Sequence, residues 1–272
     1  MKTRIIVSVI LLPLLLIVIL ALPKVFTAIL FGALSALAAY ELLAGTGYIK
    51  HIRMVAYSMI AAFLVSIWSY FGMSYAWGLL GVLVFVALLF MEMMLSHVKL
   101  RFSKVALCIV GGLLIPFFLC SLVRIQTGVG TGRYFIMIAF VVAFLSDSGA
   151  YFVGKFLGKH QLAPVISPKK TIEGAVGGLL TAVIGMVVYG LLLDHAFGFE
   201  VNYFFAAVYG VVGSVAGMFG DLCFSVIKRQ TGIKDFGNVI PGHGGVLDRF
   251  DSMVIVGPLV EIMLILIPVA VK

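Results

Sequence analysis

Between residues 221 and 251 the chain gathers Asp221, Ser225, Lys228, Arg229, Lys234, Asp235, the turn Pro241-Gly242-His243-Gly244-Gly245, then Asp248, Arg249 and Asp251. Asp221, Asp248 and Asp251 offer hard oxygen donors suited to Mg2+, which takes one or two carboxylates together with phosphate oxygens. Lys228, Arg229, Lys234 and Arg249 supply cations that neutralise phosphate charge. The glycines of the turn let backbone N–H groups approach an anion without a Cβ in the way. These parts describe phosphoryl or nucleotidyl transfer, in which catalysis is mostly positioning and charge stabilisation. His243 has no partner at metal-ligand spacing, so it reads as a hydrogen-bond donor to phosphate or as a residue that shapes the loop. A general base is unnecessary if the nucleophile is a phosphate monoester, whose second pKa is about 6.

A second polar stretch, Gly154 to Glu173, carries Lys155, Lys159 and the run Ser167-Pro168-Lys169-Lys170-Thr171-Ile172-Glu173-Gly174. Thr171 or Ser167 is placed to cap the following helix, whose N-terminus would then face an anion. Positive charge on a cytoplasmic loop accounts for Lys155 and Lys159 as well as ligand binding does; it accounts less well for Lys169 and Lys170 beside the capping residues. Asp147 and Asp221 fall inside apolar segments, where a carboxylate is expensive and points to function. On a helix Asp147 shares a face with Tyr151 and Gly154, and Asp221 shares one with Ser225 and Lys228/Arg229. Ala206, Gly210, Gly213, Gly217 and Gly220 form a small-residue stripe that permits close helix packing and turns Asp221 inward. Gly174, Gly177, Gly178 and Gly185 form a comparable run, for which packing alone suffices. Glu41 and Glu92 read most simply as interfacial charges, although a carboxylate there could also line a site; Glu261 reads as a site residue or, the favoured alternative, a paired or protonated carboxyl that helps helices associate. The run Gly128-Val129-Gly130-Thr131-Gly132 lacks the Lys-Ser/Thr of a phosphate loop and reads as a turn.

The elements that hold these groups are membrane helices. Of the 272 residues, 63% are hydrophobic and 11% charged, against about 25% charged in a soluble globular chain. A bilayer core needs roughly 20 apolar residues per helical crossing. Segments 5–23, 105–123, 175–193 and 201–220 meet that need without a charge, and 54–91 must turn near Gly72. The pattern predicts an all-α integral membrane protein with nine spans, at about 4–22, 25–44, 54–72, 76–95, 104–123, 134–153, 174–193, 203–227 and 252–271. The first span follows Lys2 and Arg4 but lacks a small-residue cleavage site, so it reads as a retained helix. With the N-terminus cytoplasmic and the C-terminus outside, all of the 19 Lys and Arg except Lys24, Arg124, Arg133 and Lys272 lie on the cytoplasmic side, as the positive-inside rule requires. Residues 1–123 form an N-terminal helical region, and 124–272 a catalytic region with cytoplasmic loops 154–173 and 228–251. The net charge of +8 is met by topology and an anionic ligand, with no call for nucleic acid. Cys108, Cys120 and Cys223 lack metal-ligand spacing and read as small buried hydrophobes.

The motif from Ser225 through Lys228-Arg229, Lys234-Asp235-Phe236-Gly237 and Ile240-Pro241-Gly242-His243-Gly244-Gly245 to Asp248-Arg249-Phe250-Asp251 resembles, along its whole length, the signature of the phosphatidate cytidylyltransferases (CDP-diacylglycerol synthases). Asp147-Ser148-Gly149-Ala150-Tyr151 and Ile166-Ser167-Pro168-Lys169-Lys170-Thr171-Ile172-Glu173-Gly174 are similar to further motifs of that family. The resemblance is strong over 146–251, while the N-terminal half matches only as hydrophobic helices. One departure is visible: Phe224 stands where members often carry Glu, which argues against a carboxylate role there. The resemblance implies transfer of a cytidylyl group from CTP to phosphatidic acid with Mg2+, in phospholipid biosynthesis. It also implies a homodimer with a membrane-embedded site on the cytoplasmic side of the plasma (inner) membrane. Asp221, Asp248, Lys228, Arg229 and Asp251 are then the catalytic candidates, with Asp221 and Asp248 the expected metal ligands in a one- or two-metal site. Lys169, Lys170, Ser225, Lys234, Asp235, His243, Arg249 and Asp147 are the substrate-binding candidates. A cation-coupled anion transporter, a polyprenol- or phytol-phosphate cytidylyltransferase and a CTP-dependent lipid kinase stay open as alternatives.

Overall fold

The computed structural model describes residues 2–271 apart from 97–99, 129–131, 241 and 243, with side chains from residue 9 onward. The glycine-rich run at 128–132 and the turn at 241–245 therefore lie partly outside the described residues, and His243 wholly so. Helix α1 spans Lys2–Leu20, and α2 spans Lys24–Tyr40 before widening into a π-helical turn, Glu41–Gly45. Helices α3 (Ile52–Phe71) and α4 (Tyr75–Leu95) are separated at Gly72, whose φ of 57° is the left-handed conformation that ends a helix. The break falls where the long apolar run has to turn.

The fifth span is segmented. Helix α5 (Phe102–Ile109) passes into a second π-helical turn, Val110–Leu114, followed by α6 (Ile115–Leu119) and α7 (Ser121–Gly128). Gly111 and Gly112 sit in this π turn and Pro116 at the start of α6, where π insertions and proline disturb the regular ladder. Helix α8 (Gly132–Leu157) extends past the end expected near residue 153 and leads into a hairpin, β1 (Gln161–Ala163) and β2 (Ser167–Thr171), within the polar loop. Helix α9 (Ile172–Phe197), β3 (Glu200–Val201), α10 (Tyr203–Gln230), α11 (Leu247–Leu266) and β4 (Ala270–Val271) complete the chain. Among the described residues seven helical segments are long and apolar enough to cross a bilayer. The protein is thus helical and multi-pass, with α1 and α11 outside that set and two short antiparallel pairs added.

Two compact units divide the chain. The first comprises Met1–Gly128 with Ile233–Phe250, the second Val129–Gly232 with Asp251–Lys272. In the first unit α2 packs along α3, and Leu43, Ile49, Met54, Phe85, Leu89 and Val105 form an apolar cluster. Buried side chains tie its helices together: Ser66 Oγ donates to the Ala28 carbonyl at 2.7 Å, and Gln126 Nε2 to that of Ile19 at 2.9 Å. Glu92, 5% exposed, accepts from Arg53 and from the Tyr57 hydroxyl at 3.3 Å, so it is a paired internal charge. Cys108 and Cys120 are fully buried, as small apolar residues are.

The second unit is built on close helix approach. Helices α8, α9 and α10 pack against one another through the small residues already singled out. A Cβ added at Gly178 would lie 2.7 Å from the Ser146 carbonyl, and one at Gly210 2.6 Å from the Val183 Cα. Ser146 and Ser214 share a hydrogen bond of 2.7 Å in this buried seam. Gly210→Val is expected to destabilise the unit by about 2–3 kcal/mol, because the obstacle is backbone that cannot step aside. At Gly217 an added Cβ meets its nearest neighbour at 3.4 Å, so Gly217→Ala is expected to be tolerated. Melting temperatures of the two variants in detergent check this contrast; equal values would contradict it.

Candidate active site

In the second unit, Lys170 Nζ lies 2.5 Å from Asp221 Oδ2, with the two side chains 24% and 28% exposed. Local structure explains why Lys170 is the lysine that meets Asp221. Successive residues of a strand point to opposite faces, and on β2 Lys170 is half-buried while Lys169 is exposed. The strand is held from both ends. Thr171 caps α9, its Oγ1 accepting from Gly174 N at 3.1 Å. Glu173 accepts from the backbone N–H groups of Lys159 and His160 at 3.1 and 3.2 Å, and Ile172 N donates to the His160 carbonyl at 2.9 Å. Arg229, exposed at the end of α10, donates from Nε to the Ile166 carbonyl at 3.2 Å, which ties α10 to the hairpin.

Around Asp221 the groups sit as the helical spacing requires. Ser225, one turn on, donates to Asp221 Oδ1 at 3.3 Å. Gly220 packs where an added Cβ would lie 2.8 Å from the Asp251 carbonyl, bringing α11 against α10 at this level. Asp251 feels the negative charges of Asp221 and Asp147 and the positive charge of Lys228. Asp147 is exposed on α8, and Ser252 Oγ donates to its Oδ2 at 3.4 Å. Phe224, at the position where the motif often has Glu, is buried. Glu261 is half-buried on α11.

In the first unit, the loop that leads into α11 is folded around two carboxylates. Asp248, 7% exposed, accepts through a single oxygen, Oδ2, from Phe236 N at 2.8 Å and Gly245 N at 3.0 Å. Glu41, 1% exposed, accepts from Val246 N at 2.9 Å and Leu247 N at 2.8 Å, across 205 and 206 residues of sequence. Gly244 takes a φ of 86°, and Ile240 N donates to its carbonyl at 3.0 Å. The amides of Gly245, Val246 and Leu247 thus find their anions in the chain's own carboxylates. Lys234 and Asp235 are exposed on this loop, and Arg249 is exposed in the first turn of α11.

Asp147, Asp221 and Asp251 carry oxygen donors of the kind a hard divalent cation takes, and the charges of Asp147 and Asp221 act on Asp251. Among the described residues no group of three or more His, Cys, Asp and Glu side chains has the arrangement of a metal site, and Asp221 is paired with Lys170. Sequence reasoning placed Glu41 at the membrane interface and missed its part in the loop. The only signal was an acidic residue ending an apolar helix; its partner amides are two hundred positions away.

A carboxylate on a bilayer-length helix held against a lysine of a short strand marks a membrane protein with a charged centre among its helices. The chain belongs to the cytidylyltransferase family, whose profile matches residues 2–267. It is similar to the phosphatidate cytidylyltransferase of Staphylococcus haemolyticus (strain JCSC1435), with 46% identity over 134 residues, 49% of this chain and 50% of the relative. The phosphatidate cytidylyltransferases of Staphylococcus saprophyticus (strain ATCC 15305) and Staphylococcus aureus (strain COL) are likewise 46% identical over 134 residues, with the same coverage. The chain spans about half the length of the curated relatives it matches.

Proposed function

We propose that the chain transfers the cytidylyl group of CTP to phosphatidic acid, giving CDP-diacylglycerol and pyrophosphate for phospholipid biosynthesis. The observation that carries this reading is the Lys170–Asp221 pair, which joins two segments far apart in sequence into one charged centre where the end of β2 meets α10. The family match and the names of the relatives support the same chemistry. A lipid phosphate reaches only headgroup level, so helix ends and hairpins are the elements that can meet it.

In this reading a phosphate oxygen of phosphatidic acid, ionised near neutral pH, attacks the α-phosphorus of CTP in line. The new P–O bond forms as the bond from the α-phosphorus to the bridging oxygen breaks, and pyrophosphate leaves with that electron pair. Lys169, Lys170, Lys228 and Arg229 neutralise the triphosphate and the lipid phosphate. Ser225 steadies Asp221, while Lys234, Asp235, His243 and Arg249 contact substrate from the loop and Asp147 and Asp251 shape the local charge. Asp221 and Asp248 are the carboxylates that would hold Mg2+, as one or two ions; bound there, it would supply charge neutralisation at the phosphates.

Nine spans with a cytoplasmic N-terminus and an external C-terminus, in the plasma (inner) membrane, complete the proposal. They put the site at the cytoplasmic face, where CTP is available; nucleic acid has no part, and the functional unit is a homodimer. The basic residues support the orientation. Purified protein in detergent, given CTP and Mg2+, is expected to release pyrophosphate at least about tenfold faster with phosphatidic acid than with a polyprenyl phosphate. Faster release with the polyprenyl phosphate would overturn the choice of lipid, and no release with either would overturn the reaction.

A further inference from the structure

We infer that Glu41 is a positioning residue that holds the 233–250 loop in its substrate-competent form. This rests on the cytidylyltransferase reading above and deepens it. The argument starts from helix chemistry: the first N–H groups of a helix have no intrahelical partner. At the start of α11 those of Val246 and Leu247 are taken by the two oxygens of one carboxylate, Glu41, at 2.9 and 2.8 Å. A negative charge at a helix N-terminus is favourable, and hydrogen bonds to a charged group are stronger than neutral ones.

The loop is shaped to admit this carboxylate. A Cβ added at Gly237 would lie 2.6 Å from Glu41 Oε1, and one at Gly245 2.6 Å from Glu41 Cδ. A Cβ at Gly45, on the π-helical turn that carries Glu41, would run into the Phe236 carbonyl. Glycine at three positions on two distant segments thus permits one contact. Asp248 then closes the same loop from inside through Phe236 N and Gly245 N. Lys234 and Asp235, exposed on the loop, and Arg249, exposed in the first turn of α11, owe their placement to this anchorage.

Loss of the clamp lowers the fraction of molecules whose loop is ready for substrate. Apparent affinity falls by that fraction, and saturating substrate restores the competent form. Glu41→Gln can satisfy one of the two amides and sets its own NH2 against the other. Its KM for CTP is expected to rise about 10- to 100-fold, with kcat falling less than about threefold. Gly245→Ala, which presses on the carboxylate from the loop side, is expected to do the same.

The test combines steady-state kinetics with hydrogen–deuterium exchange of the full-length protein in detergent. Expected is faster exchange in peptides covering 233–250 for both variants, with peptides of α3 and α9 unchanged. Glu92→Gln, which alters a different buried carboxylate, should leave the 233–250 peptides as in wild type. Unchanged exchange at 233–250, acceleration spread equally over the chain, or a loss confined to kcat would overturn the inference. If the wild type makes no cytidylyl lipid, the functional reading fails while the exchange comparison still decides the clamp.

Discussion

Asp248→Asn is expected to lower turnover about a thousandfold while the protein remains folded in detergent. The geometry makes this substitution informative. One oxygen of Asp248 accepts both loop amides, Phe236 N and Gly245 N, and the amide oxygen of asparagine can take that place. The variant removes the negative charge while keeping an acceptor for these two amides. Asp248→Ala removes the loop bonds as well, so it should also lower the melting temperature, as truncating a buried acceptor of two bonds does. Steady-state rates with melting curves for the two variants separate charge from scaffold. Near-normal turnover in Asp248→Asn would refute a metal-holding role.

Lys170→Met is expected to lower kcat/KM for CTP by a factor of about 100 to 1,000. Its ammonium sits against Asp221 at 2.5 Å on a strand pinned by the Thr171 cap and the Glu173 contacts, so no neighbouring lysine swings into its place. Lys169 is exposed on the opposite face of β2, and Lys169→Met should cost at most about tenfold. Since Lys170 and Asp221 act as a pair, Lys170→Met combined with Asp221→Asn should be no worse than the more damaging single change by more than a few-fold. Independent, multiplying losses would show that the two groups work separately.

How far the sequence foretold this arrangement depends on the range of the interaction. Helix spacing puts Ser225 on the face of Asp221, and the Ser-Pro-Lys-Lys-Thr run offers Ser167 or Thr171 as the cap, of which Thr171 is the one used; both are contacts within one turn. The small-residue stripe of α10 correctly marked a packing face, because a missing Cβ has a direct geometric consequence. The hairpin of β1 and β2 has no signature in the sequence, since strands of three and five residues leave no periodicity to detect. Segmentation of the fifth span was equally hidden: a π-helical turn keeps the same apolar composition as the helix around it. The role of Glu41 lay furthest from view. It depends on amides that any residue at 246 and 247 could offer, brought near by the fold alone.

The position of the transferred phosphorus tests the central claim most directly. Purified wild-type protein with Mg2+ and phosphatidic acid is incubated in parallel with CTP labelled at the α-phosphate and CTP labelled at the γ-phosphate, and the lipid fraction is counted. The α-label is predicted to enter the lipid and the γ-label to leave as pyrophosphate, with neither found in the lipid for Asp248→Asn. The γ-label in the lipid would identify a kinase, and an unlabelled lipid from both nucleotides would contradict cytidylyl transfer altogether.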